Sequence, residues 1–340
     1  MNDGPHAGIM YVDMTQKRVF GGALIVSAVW LAAALAAQSK PWTAPRTPDN
    51  HPDIQGVWTN ATITPFERPA ALADKAFLTP EEAADLERRT LDRRAQAEKA
   101  PRPTKATDPG AYNDFWMDSG TKVLGSRQTS LVVEPANGRV PVRPAAEKAR
   151  EQNLARSFDD PEYMSVWDRC ITRGIPGSMF PAGYNNAYQI FQMPGHIVIL
   201  YEMIHDARII PIDGRAHLPA PIRNWMGDSR AQWEGNTLVI NVTNYNDKGW
   251  IASSAAGGRI KGIQHTSRLH VVERFTRTGP DAMQYEATIE DPEVYTQPWK
   301  VAFPLTRDEN YRIFEYACHE GNTAVANILR GARFADNERR

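Results

Sequence analysis

The sequence predicts a mainly β protein: an antiparallel up-and-down β-barrel with helical decoration on its N-terminal side. Three observations carry this. From Asn186 to Ala317 the chain is a series of apolar segments separated by short turn signals. Several segments alternate with period two, as where Leu269, Val271 and Phe275 fall on one side and His270, Arg274 and Thr276 on the other. Nothing in that run resembles the helix of about a dozen residues that a parallel crossover needs. About nine sequential antiparallel strands then remove their exposed edges most simply by closing into a barrel.

At 340 residues, 42% hydrophobic and 23% charged, the chain has a globular composition. We read a single barrel domain over 56–335. The formal net charge is -1 and the basic residues are spread out, so nucleic acid is not expected as a partner. Lys17 and Arg18, the apolar run from Val19 and the triplet Ala34-Leu35-Ala36 form a secretory signal over 1–36, with Met14 as an alternative start. The competing reading is an uncleaved anchor, because the apolar run approaches the ~20 residues that span a bilayer. If the signal is removed, no stable membrane span remains and the protein is periplasmic or secreted. The oligomeric state is not legible.

Residues 37–55 form a Pro-rich linker, in which proline removes donors and fixes φ. The first strand lies in "IQGVWTNATI". The next segment, "LTPEEAADLERRTLDRRAQAEKA", is a helix with Thr79 placed to cap it, Pro80 in its first turn and Glu82 at the capping-box position. Helical insertions are expected at about 80–99 and 144–169, the second through "PAAEKAREQNLARSF" and "DPEYMSVWDRC". Hairpins follow, turning at Pro194-Gly195, at Glu234-Gly235-Asn236 and at Gly279-Pro280-Asp281. "PWKVAFPLT" and "YRIFEYA" complete the strand set.

The two cysteines, Cys170 and Cys318, are an even pair in an exported chain, which favours a disulfide over two buried thiols. Bridged Cα atoms usually lie about 4.4 to 6.8 Å apart. A bridge would therefore gather Asp168, Arg169 and Arg173 with His319 and Glu320.

Gly56-Val57-Trp58 on the first strand resembles the Gly-x-Trp signature of the lipocalin superfamily. That resemblance implies a lipocalin-like barrel with Trp58 plugging it. A longer stretch, from Ser126 to Arg333, is similar to a family of uncharacterised exported proteins of soil bacteria. The shared phrases are "TSLVVEPANGRVP", "WDRCITRGIPGSMFP", "YEMIHDARIIPIDGR", "MGDSRAQWEGNTLVI" and "YACHEGN". This second resemblance implies export and supplies no mechanism.

There is no phosphate-binding glycine loop, no serine elbow and no zincin helix. Metal ligation could draw on His205, Asp206, His217 and His319, but their spacing lacks a pair with a third ligand nearby, and no cofactor is expected. The stretch "YEMIHDARIIPIDGR" instead concentrates Glu202, His205, Asp206 and Arg208 between apolar runs. Read as one strand, it puts Glu202, Asp206 and Arg208 on one face and Tyr201, Met203 and His205 on the other. Read as a turn at His205-Asp206, it brings Arg208 beside Met203 and Tyr201. Both stay open, as do a site and a bare turn.

The leading expectation is an exported enzyme using cofactor-free acid–base catalysis on a small apolar or aromatic molecule, as a lyase, isomerase or hydrolase. His205 would be the general base, oriented by Asp206. Arg169 or Arg208 would stabilise developing negative charge, and Tyr188 or Glu320 would handle the second proton. Glu202 and His319 complete the candidate set. The alternative is a periplasmic binding protein for an apolar ligand.

Overall fold

A computed structural model describes residues 42–99, 117–252 and 260–338. The segment 1–36, read above as an export signal, lies outside the described residues. Among the described residues there are ten strands: β1 (Gly56–Thr59), β2 (Val132–Glu134), β3 (Ala187–Met193), β4 (His196–Tyr201), β5 (Ala207–Pro211), β6 (Asp228–Glu234), β7 (Thr237–Thr243), β8 (His270–Gly279), β9 (Ala282–Glu290) and β10 (Trp299–Arg307). The described residues also hold three α-helices: α1 (Pro80–Lys99), α2 (Pro144–Ala155) and α3 (Ala324–Glu338). All belong to one compact unit, Ala44–Arg340.

The strands pair in the order β5-β4-β3-β1-β10-β9-β8-β7-β6, and every strand pair is antiparallel. The result is a mainly β, nearly closed barrel of nine strands in up-and-down order, compatible with a lipocalin-like architecture. β2 lies off this ring. It pairs with β10 at Lys300 and Val301, while β1 pairs with the same strand at Thr306 and Arg307. Between the ring's two ends a side chain makes the link: Arg208 of β5 donates from Nε to Ser229 Oγ of β6 at 2.9 Å.

Short turns set the β3–β4, β6–β7 and β8–β9 pairings because they leave no chain for a crossover. The β3–β4 hairpin turns through Pro194-Gly195 and the β6–β7 hairpin through Gly235-Asn236. Both glycines have positive φ, +74° and +61°, where a side chain would be strained. The period-two pattern then sends alternate residues inward. Val271 and Phe275 of β8, Met283, Tyr285, Ala287 and Ile289 of β9, and Trp299, Val301, Phe303 and Leu305 of β10 are all buried. Burying one such large side chain contributes about 1.5–3 kcal/mol. Tyr201 and Tyr285 join Phe275 and Phe303 among the largest fully buried side chains, so the barrel interior is packed core.

Trp58 is fully buried. Its indole N–H donates to the Ile54 carbonyl at 3.0 Å, and the Arg277 guanidinium lies 5.0 Å over its ring. Arg277 also donates to the Asp53 carbonyl at 2.8 Å, which fastens the segment before β1 to β8. In α1 the expected capping box forms reciprocally. Glu82 N–H donates to Thr79 Oγ1 at 3.2 Å, and Thr79 N–H donates to Glu82 Oε2 at 2.8 Å. Ala83 is the helix's buried residue, so α1 is a solvated element.

Two local expectations are corrected. The second helical insertion does not run to 169: α2 ends at Ala155, and only a 3-10 turn, Pro161–Tyr163, follows. Pro161 explains the interruption, since it holds Asp160 in an extended conformation with ψ 146°. "YRIFEYA" is not a strand; it continues from β10 as an irregular strap whose hydrogen bonds go to a buried carboxylate instead of a ladder. Helix α3 was not anticipated from the sequence. Among the described residues, no helix is long and apolar enough to cross a membrane.

Candidate functional site

Between β4 and β5 the chain reverses over Glu202–Asp206, with Tyr201 N–H donating to the Asp206 carbonyl at 2.9 Å. The charged stretch is therefore a hairpin turn, and the single-strand reading fails. Ile204 (φ +65°) and His205 (φ +45°) occupy the left-handed region, an outlying conformation for a β-branched residue. This reversal lets Tyr201 and Arg208 both point into the barrel.

Two of the turn's ionisable groups hold the C-terminal strap. Glu202 is fully buried and accepts from Tyr311 Oη at 2.8 Å and Phe314 N–H at 3.0 Å, while its Oε2 is sealed without a partner. Burial first, then this carboxylate, pushes the Tyr311 phenol up from its ordinary value. His205 is exposed, and its Nδ1 lies 2.5 Å from the Tyr316 carbonyl, so Nδ1 carries the proton and donates.

Asp206 accepts instead from Thr172 Oγ1 at 2.7 Å, and burial pushes its pKa above the ordinary 3.8. A carboxyl raised by folding is more protonated in the folded chain, so its contribution to stability declines as pH rises from the ordinary value through the raised one. Asp206→Asn should remove that decline while keeping an acceptor for Thr172. Urea melts over about pH 3 to 7 check this; an unchanged slope in the variant would refute it.

Arg208 has a different setting. Its Nη2 lies 2.6 Å from Glu273 Oε2, with side-chain exposures of 4% and 0%. Tyr285 Oη donates to Glu273 Oε1 at 3.0 Å, and Arg208 Nη1 donates to Tyr201 Oη at 3.4 Å. Burial pushes the Arg208 guanidinium down, but Glu273 and then Tyr201 outweigh it and leave its pKa above the ordinary value. Burial raises the Tyr201 and Tyr285 phenols, which therefore stay neutral. This is a closed polar cluster in the core.

Cys170 and Cys318 are bonded, with Cα atoms 5.6 Å apart. Beside the bridge lies a cavity of about 870 Å³. None of its described lining residues belongs to a strand: it is built from the loops around Asp118, Trp167–Cys170 and Tyr184, from the strap, and from the first residue of α3. Trp167, Tyr184, Tyr311, Phe314 and Tyr316 supply aromatic surface. Tyr184 and Tyr316 stack with centroids 6.4 Å apart, and Trp167 sits 6.3 Å from Tyr184. Asp118, Asp168 and Glu315 supply carboxylates. Asn186 donates to Asp118 from its backbone N–H at 3.1 Å and from Nδ2 at 2.8 Å, yet burial still pushes the Asp118 carboxyl up.

None of the residues singled out from the sequence as catalytic is among the described lining residues. Glu202 and His205 anchor the strap, Asp206 anchors the Thr172 loop, and Arg208 is enclosed by the barrel. Arg169 is half-buried with a sealed, unpartnered Nε, and burial lowers its pKa against the pull of Glu162, Asp160 and Asp168. Tyr188 is buried, accepts from Asn60 Nδ2, and is raised by burial. His319 and Glu320 are exposed beside Cys318. The bridge does bring Asp168 together with the Cys318 segment, as expected. Sequence reasoning missed Asp118, Tyr311, Phe314, Tyr316 and Glu273.

Fold and site together define a disulfide-linked, nearly closed antiparallel barrel carrying an aromatic, acid-lined cavity outside its sheet. No family model, no curated protein and no solved structure matches the chain, so the family resemblances read from the sequence gain nothing beyond the barrel itself.

Proposed function

We propose that the protein is an exported binding module that takes a small, largely aromatic or apolar molecule into the cavity under its C-terminal strap. The lining carries this reading. Five aromatic side chains converge with a few polar groups on a cavity of ligand size, whereas the barrel interior is filled. Export is supported by the disulfide, which persists in oxidising compartments. The test is a thermal-shift screen of apolar and phenolic compounds, since a ligand that binds only the native state raises apparent stability. Trp167→Ala should weaken any hit by about tenfold or more, within the range for losing one buried aromatic contact, and Phe314→Ala, at a largely exposed ring, by less. His205→Ala, an exposed turn change, should leave affinity near wild type. Hits indifferent to Trp167 and Phe314 would overturn the assignment.

Asp118 favours a second reading, cofactor-free acid–base turnover as a lyase, isomerase or hydrolase. A carboxyl raised by burial and facing the cavity suits proton exchange with a bound compound. If a bound compound is converted, Asp118→Asn should slow turnover at saturating substrate by about 10²–10⁴, beyond any loss of affinity. Normal turnover in that variant would leave binding alone.

A further inference from the structure

We propose that the cavity recognises an organic cation, an amine or quaternary ammonium carried on an apolar or aromatic body. This rests on the reading of the cavity as a small-molecule site and adds the sign of the ligand's charge. Three carboxylates, those of Asp118, Asp168 and Glu315, share the cavity with the faces or edges of five aromatic rings, and no described lining residue is Lys, Arg or His. Aromatic faces attract cations through their quadrupole, and a surrounding cage of rings is the general solution for quaternary ammonium recognition. Carboxylates at such a cage add the counter-charge.

Two details strengthen the case. Tyr311 donates its hydroxyl proton to the buried Glu202, which draws that proton away from the cavity and enriches the ring with electron density. Asp118 is held by the Asn186 amide and backbone, both neutral donors, and no cation pairs with it among the described residues. Glu315 is exposed, and its side chain makes no hydrogen bond or ion pair among the described residues. An anionic ligand would meet Asp118 and Glu315 as like charges, whereas a cation would complement them.

Among the described residues, the basic groups Arg173 and Arg169 lie outside the lining. Arg173 is buried outside the lining, donates from Nη2 to the Phe180 carbonyl at 3.3 Å, and lies among the Tyr184, Tyr188 and Tyr316 phenols. Arg169 is also outside the lining and faces Glu162, Asp160 and Asp168.

Calorimetry on the full, oxidised chain tests the proposal with three matched probes: benzyltrimethylammonium, its neutral carbon isostere 2,2-dimethylpropylbenzene, and phenylacetate. The cation should bind at least about tenfold more tightly than the isostere, with phenylacetate weakest. Its affinity should fall by about two- to fivefold in Glu315→Gln, an exposed change that leaves the fold intact, and by more in Asp118→Asn and Trp167→Leu. Equal or tighter binding of the neutral or anionic probe overturns the charge inference and leaves the small-molecule reading standing. Cation binding that ignores all three variants places it elsewhere and overturns the inference. Failure of all three probes to bind overturns both.

Discussion

Glu273→Ala is expected to destabilise the protein by about 3–5 kcal/mol, the loss typical of removing one partner from a buried ion pair. The residue is fully buried on β8, and its loss leaves the Arg208 guanidinium inside the barrel with only Tyr201 and Ser229 as neutral acceptors. That loss is a large part of the 5–15 kcal/mol that holds an ordinary domain folded, so the single variant could fail to express as a folded chain. The pair Arg208→Met with Glu273→Leu is the control. It removes both charges and keeps apolar volume, so it should recover most of the stability that Glu273→Ala loses. Urea melts of the three proteins decide the matter. If Glu273→Ala shifts stability by less than about 1 kcal/mol, the guanidinium reaches water and the cluster is not dry. If the double variant is as damaged as the single, the pair contributes more than mutual neutralisation.

Glu273 also shows where the sequence was readable and where it was not. The alternation through Leu269, Val271 and Phe275 was legible because a strand with one buried face must repeat every two residues. Glu273 sits on that inward parity, so a charge on the apolar side of a well-patterned strand was the available signal for the core cluster. Its partner was harder. The inward direction of Arg208 depends on the reversal at Glu202–Asp206, and that turn is held by left-handed Ile204 and His205, residues with no turn signature. The barrel's hairpins were visible because glycine and proline mark tight turns.

The cavity was not visible, because loops have no period. Asp118, Tyr184 and Tyr316 come together through tertiary contacts that span the chain. "YRIFEYA" even carries strand-like apolar spacing, and the buried Glu202 overrides it by taking hydrogen bonds from Tyr311 and Phe314. The one long-range contact that the sequence did announce was covalent, the cysteine pair, and it points to the right neighbourhood and to one of its carboxylates, Asp168.

Breaking that bond should produce the other large effect. Cys170 and Cys318 are separated by 148 positions, and the chain-entropy model gives about 5 kcal/mol for closing so long a loop in the unfolded chain, an upper figure because denatured chains retain structure. Reduction, or Cys170→Ser with Cys318→Ser, should lower the urea midpoint accordingly. It should also raise the m-value, since an uncrosslinked denatured chain exposes more surface. Ligand binding should fall by more than stability alone explains, because both cysteines line the cavity and Cys318 carries part of the strap. The strap should not detach fully. Glu202 still holds Tyr311 and Phe314, and His205 still donates to Tyr316, all on the N-terminal side of the bridge. Loss should therefore concentrate at Ala317–Asn322 and the start of α3, and hydrogen exchange should show faster opening there than at Tyr311. An unchanged urea midpoint after complete reduction, checked by two titratable thiols in the denatured protein, would mean that the bond constrains nothing that folding does not already constrain.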